Sequence, residues 1–216
     1  MRKLSEFIAS FVQKFSQRND EHQFISWILL RLIGLGSFMT LAPLTNKILA
    51  LIGKQGIYPI CQLQSELYGR QGIAGVVMHP TLSWIYCSDF VIQLILYTAV
   101  VLSFLMFIGF DAGWILFTIW ICFLSLSQMS GIFLSEMWDV FLLELIFLSL
   151  FIVNWSWRPI FLRKPQSPPY FVSVAFVWIV FKTMLGMGLI KFYPIGELWS
   201  SSVAIKLFFK NVISPT

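Results

Sequence analysis

Charge is scarce in this chain. Asp, Glu, Lys and Arg supply 12% of its 216 residues and hydrophobic residues supply 58%, against roughly 25% and 45–50% in soluble globular domains. The mean hydropathy is +0.81. That shortage excludes an ordinary soluble domain, because most of the chain must lie in lipid and too little polar sequence remains to enclose a separate core. The net charge of +5 is spread without a basic run, so nucleic-acid binding has no footprint. Cysteine is sparse as well: Cys61, Cys87 and Cys122 form no C-x-x-C pair, which argues against zinc-ribbon and thioredoxin-like chemistry. Cys122 reads as a small packing residue inside a helix. Pairing of Cys61 with Cys87 requires an oxidising compartment, and spacing alone leaves it open. Histidine is limited to His22 and His79, which with the cysteines make no metal set of recognisable spacing, so no metal is expected. Phosphate-cradling glycine loops and a serine-nucleophile elbow are missing too. No cofactor is implied, and the balance leans away from an enzyme.

What is present is apolar sequence in bilayer-spanning lengths. Residues 4–15, LSEFIASFVQKF, set Leu4, Phe7, Ile8, Phe11, Val12 and Phe15 at helical spacing. Residues 1–23 therefore read as an amphipathic segment lying on the membrane surface rather than a cleavable leader. Spans are expected at residues 24–44, 85–109, 113–135, 138–155 and 170–193, each near the ~20 residues a bilayer requires. The architecture expected is thus all-α: a multi-pass transmembrane helical bundle of about five spanning helices over residues 24–193, with a long connection at 45–84 and a tail at 194–216. Seven basic residues flank the spans on the side of the N-terminus and five on the other, which orients the N-terminus toward the cytoplasm. The connection, the SEMWD turn at 135–139 and the tail then share the outer face. The membrane is that of the endoplasmic reticulum in a eukaryote and the inner membrane in a bacterium.

The few charges inside the spans carry the chemical interest, since a charge at mid-bilayer costs roughly 2.5–3.5 kcal/mol on insertion scales. At a rise of about 1.5 Å per residue, Glu144 lies some 9 Å below the outer surface and Asp139 near it, while Lys191 and Lys182 descend from that surface on the last helix. Two rungs are possible, Glu144 with Lys182 and Asp139 with Lys191. The lysines are nine positions apart, about 180° round an ideal helix, so both rungs together need a distortion such as Gly186 and Gly188 could provide. These groups either fix the bundle or take part in chemistry, with Lys182, Lys191 and Glu144 the candidates for the latter. Arg31 either snorkels to inner-leaflet phosphates, the commoner outcome, or meets Asp111, the carboxylate at matching depth. Asp89, Gln93 and Gln128 either line an outer polar cavity with Glu144 and Lys182 or serve as interhelical hydrogen-bonding glue.

Several segments, in order, resemble the lipase maturation factor family, multi-pass proteins distantly related to the membrane domain of the vitamin K-dependent carboxylase. LIGKQGIYP, with Gly53, Gly56 and Pro59, resembles an L-I-G-x-x-G-(I/L)-x-P element of the outer connection. HPTLSWIYCSD resembles P-T-L-x-W followed by S-D, and FLSEMWDVFLLELIFL resembles a W-D-x-L-L-L-E signature that places Trp138, Asp139 and Glu144, with Phe141 for a leucine and Ile146 for a glycine. GLIKF resembles a G-x-x-K element, placing Gly188 and Lys191, and Trp199, Pro215 and Thr216 follow in register. The resemblance implies five helices, an inward N-terminus and a large outer soluble domain, and the sequence stops where that domain would begin. It implies a membrane-embedded, non-enzymatic maturation or assembly factor for exported proteins such as lipases, as a truncated or split member, contacting a client protein on the outer face. The alternative is a carboxylase-like membrane enzyme acting on a lipid or quinone-type substrate.

Overall fold

A computed structural model describes residues 23–134, 137–155, 160–161 and 168–190, with the single positions 203 and 206. The N-terminal amphipathic segment and, apart from those two positions, the C-terminal tail lie outside the described residues, as do Glu136, Lys191 and Trp199. The chain divides into two compact units, Met1–Ala175 and Phe176–Thr216. In the first, α1 (Gln23–Leu41) leads through a short turn to α2 (Ile48–Ile52). The long connection contributes α3 (Ile60–Gln71) and α4 (Ile73–Met78), after which come α5 (Asp89–Ile108), β1 (Phe110–Asp111), α6 (Gly113–Ser130), α7 (Met137–Ser149) and β2 (Ile160–Phe161). α8 (Tyr170–Ile190) starts in the first unit and continues into the second.

The spans are helices because nothing inside lipid can satisfy a backbone amide except the helix itself. Ser88 starts α5 by accepting a hydrogen bond from the Val91 amide at 3.3 Å, and Gly109 ends it at φ 137°, a conformation that favours glycine. Both faces of α5 are apolar, as a membrane helix requires. Ile92, Leu96, Ala99 and Met106 are buried in the core while Phe90, Leu94, Tyr97, Val101 and Phe104 form an outward stripe suited to acyl chains. α1 packs along α5, α5 along α6, and α7 closes against α6 and α1. The chain is therefore an all-α, multi-pass helical membrane protein, whose only strand pairing among the described residues is the two-residue antiparallel contact of β1 with β2.

Among the described residues four helices are long and apolar enough to cross a membrane: Phe24–Asn46, Asp89–Ile108, Gly113–Ser130 and Tyr170–Leu189. The stretch expected as a fourth span forms the 13-residue α7, which rises only about 20 Å against a hydrocarbon core of ~30 Å. Beyond Ser149 the chain leaves the helix in turns held by the Phe147, Leu148 and Ser149 carbonyls. The Gly113 amide then donates to the Asn154 carbonyl at 2.9 Å, and Trp155 lies so close to Gly113 that a Cβ there would fall 2.6 Å from its ring. The end of the expected span is thus used to cover the start of α6.

Where α1 crosses α5, Gly34 lets the two backbones touch: a Cβ on it would stand 2.7 Å from the Phe107 nitrogen and 3.1 Å from the Ser103 carbonyl oxygen. Small residues permit such approaches in membranes, where packing rather than hydrophobicity holds helices together. Ser37, one turn on from Gly34, and Ser103 are fully buried, and their hydroxyls have no hydrogen-bond partner among the described residues.

Candidate functional site

The polar groups gather at two levels of the first unit. At the end of the bundle where α5 terminates, Arg31 meets Asp111 in a two-pronged ion pair, Nη1 to Oδ1 at 2.6 Å and Nη2 to Oδ2 at 2.8 Å. Nη1 also donates to the Met106 carbonyl at 2.7 Å, one of the last carbonyls of α5, which have no helical donor and carry the negative end of its dipole. The guanidinium lies 5.2 Å from the centre of the Trp27 ring, within cation–π range. Arg31 is 9% exposed and Asp111 2%. Snorkelling, favoured from the sequence, is therefore replaced by pairing: α1 carries the arginine to the turn after α5, where a carboxylate and the free Met106 carbonyl take both of its terminal nitrogens. This arrangement fixes helices and exposes no reactive atom.

The second level is the connection between α1 and α5. Its LIGKQGIYP element is a loop folded on its own main chain, with the Ile57 amide bonded to the Ala50 carbonyl at 3.0 Å and the Tyr58 amide to the Leu51 carbonyl at 2.8 Å. A Cβ on Gly53 would sit 2.5 Å from the Leu49 carbonyl oxygen, and one on Gly56 2.9 Å from both Leu49 and Leu51 oxygens. Both glycines are thus set by close approach of carbonyls. Pro59 precedes α3 as its cap, and Asp89 Oδ1 accepts from the Lys54 amide at 2.9 Å, tying the loop to the start of α5. Cys61 of α3 is joined to Cys87 by a disulfide across 26 residues. The Leu82 amide donates to Ser125 Oγ of α6 at 3.1 Å, holding the far part of the connection against the bundle.

Between the connection and the ends of α6 and α7 lies a cavity of about 470 Å³ whose walls include Tyr58, Leu63, Gln64, His79, Trp84, Gln128 and Val140. α3 turns Ile60, Leu63, Gln64 and Leu67 toward it, positions spaced as one helix face. Gln64 is 5% exposed, and its Nε2 donates to Thr81 Oγ1 at 2.8 Å and Ser83 Oγ at 2.6 Å. His79 Nδ1 lies 3.3 Å from Gln128 Oε1, and the His79 carbonyl accepts from Trp84 Nε1 at 2.8 Å.

Of the residues singled out from the sequence, only Gln128 lines this cavity; Asp89, Gln93 and Glu144 do not. Trp138 is exposed at 67% and its neighbour Asp139 is buried, while Glu144 is half-buried and Lys182, in the second unit, is exposed. Gly188 has open space around its Cα. Among the described residues no three His, Cys, Asp or Glu side chains come together as a metal site. Gln64, Thr81, Trp84 and Tyr58 were not anticipated, although a glutamine within the apolar i, i+3, i+7 stripe of α3 was a readable signal.

The cross-link gives a direct expectation. Replacing Cys61 and Cys87 by alanine releases a closed loop of 26 residues, a loss of about 3–4 kcal/mol on the chain-entropy account. The doubly substituted protein should be cut by protease within residues 53–88 far faster than the parent, with the spans remaining intact on a gel.

Fold and site together define an integral membrane protein of the multi-pass helical class, with a connection clamped over one end of its bundle. Residues 24–216 match the family model described as lipase maturation factor transmembrane domain, and the chain belongs to that family. It is similar to lipase maturation factor 1 of Mus musculus, at 32% identity over 176 residues, and of Bos taurus, at 26% over 172. Each match covers 76% of this chain and 30% of the relative, so the chain spans about 30% of the length of these curated relatives. No solved structure matches it.

Proposed function

We propose that the protein is a membrane-embedded maturation factor for exported proteins, lipases among them, and that it meets its client through the outer connection rather than through the buried charges. The observation that carries this reading is the Cys61–Cys87 disulfide inside that connection. Disulfides persist on the oxidising side of a membrane, so the connection faces the lumen of the endoplasmic reticulum or the bacterial periplasm. α1 then runs outward and the N-terminus is cytoplasmic, in agreement with the seven-to-five excess of flanking basic residues. That is the side on which exported proteins fold. The connection also has a polar lining, a cross-link and several exposed apolar side chains, Ile57, Ile73, Val77 and Ile85 among them, which leaves apolar surface for a partner to cover.

The test is maturation itself. In a secretory host whose own maturation factor has been removed, co-expression of this chain should raise secreted lipase activity several-fold at constant lipase synthesis. The Cys61→Ala/Cys87→Ala variant, at equal abundance, should lose most of that gain. Lipase activity no higher than with an empty vector would reject the reading.

A further inference from the structure

The cavity beneath the connection is polar on the sides of both the connection and α6. Gln64 and Thr81 come from the connection, Ser127 and Gln128 from α6, and apolar side chains such as Leu63 and Val140 lie among them; no Asp, Glu, Lys or Arg takes part. Gln64 makes both of its hydrogen bonds through one end of its amide, to two hydroxyls. Thr81 Oγ1 and Ser83 Oγ also lie 2.9 Å apart, which needs one of them to donate to the other, so the amino group faces the two hydroxyls and Oε1 is the end they do not serve. Gln64, 5% exposed, thus carries a carboxamide oxygen that neither hydroxyl serves, on a side chain that lines the cavity. Elsewhere in the lining, the contact of His79 Nδ1 with Gln128 Oε1 uses neither the Gln128 amino group nor His79 Nε2.

We propose that this cavity binds a short, uncharged, extended stretch of polypeptide main chain, through carboxamide-to-peptide hydrogen bonds on its two polar walls and apolar side chains between them. A peptide offers donors and acceptors all along its length, which matches polar groups on facing walls; a single-chain lipid is polar at one end only. The lack of Asp, Glu, Lys and Arg in the lining selects against ionic headgroups and charged segments, which would be desolvated with little compensation. The volume of about 470 Å³ lies in the range of pockets that enclose small ligands. The inference rests on the reading that the connection meets a client, and names the part of the client it would hold.

The test uses the whole chain in phosphatidylcholine nanodiscs and a capped, fluorophore-bearing hexapeptide of valine, serine and leucine, followed by anisotropy. Saturable binding is expected, weakened about tenfold by Gln64→Leu and by N-methylation of the central amides of the probe, since each removes a buried hydrogen bond and strands its partner. Equal binding of the N-methylated peptide, or wild-type binding no stronger than to empty nanodiscs, overturns the proposal; if a neutral monoacylglycerol also displaces the N-methylated probe, the cavity is a lipid site. The N-methylated probe needs no variant, so the outcome stands even if Gln64→Leu fails to fold. No lipase is present, so failure here leaves the maturation reading standing, and loss of maturation with intact peptide binding removes that reading alone.

Discussion

Asp111→Asn should destabilise the protein by about 3–5 kcal/mol, because removing one partner of a buried ion pair leaves the other charge uncompensated. Arg31 would keep its bond to the Met106 carbonyl and its place over Trp27, but a neutral amide would replace the carboxylate now held at 2.6 and 2.8 Å. In detergent the midpoint of thermal unfolding should fall by on the order of 10 °C. Arg31→Met alone should cost a similar amount by stranding Asp111. The double variant Arg31→Met/Asp111→Leu should recover most of the loss, since replacing a whole buried pair by apolar groups is often nearly neutral. Near-wild-type stability of Asp111→Asn would mean that Arg31 reaches lipid phosphates instead, and the account of this end of the bundle would fail.

Gly34→Leu should prevent accumulation of the folded protein. Even a methyl group there would meet main chain, 2.7 Å from the Phe107 nitrogen, and main chain cannot swing aside as a flexible side chain can. Alanine at this position should cost about 1–3 kcal/mol, the usual penalty for overpacking, and leucine more, because α1 and α5 would have to separate along their shared seam. Gly36 provides the matched control. Two residues away on the same helix, its Cβ would stand 3.5 Å from Leu142 Cδ1, an ordinary contact. Gly36→Ala should therefore be tolerated or slightly stabilising, as alanine is favoured over glycine in a helix by roughly 0.5–1 kcal/mol. Size-exclusion chromatography of the three variants, with thermal unfolding of those that survive, separates the cases.

The spans were legible because lipid imposes one rule on every residue of a helix, and composition alone reports it. α7 shows the limit of that rule. Trp138 to Trp155 is predominantly apolar, but the chain stops being helical at Ser149 because Asn154 and Trp155 are recruited to cap and cover Gly113, a contact between residues some 40 positions apart that no periodicity encodes. Arg31 and Asp111 were recognised as matching in depth, yet depth cannot say whether a long side chain turns toward lipid or protein. The free carbonyls at the end of α5 decide it, and they exist only once Gly109 has ended that helix. The residues that line the cavity under the connection were the hardest to read. His79 looked isolated because its partners, Gln128 and Trp84, depend on how the connection folds back over α6. Gln64 stood in an apolar stripe and could have been noticed there. Glycines 53 and 56 were picked out by their family resemblance, and the structure supplies the cause in the carbonyls of Leu49 and Leu51.

The central claim is that the outer connection is where this protein meets its client, and photocrosslinking in a secreting cell tests it most directly. A photoreactive amino acid is placed in turn at Leu67 and His79, which line the cavity, and at Trp114, an exposed position at the opposite end of α6. With a lipase co-expressed, crosslinks to the newly made client are expected at Leu67 and His79 and not at Trp114. Crosslinks confined to Trp114, or none at the two outer positions while lipase maturation proceeds, would contradict the account.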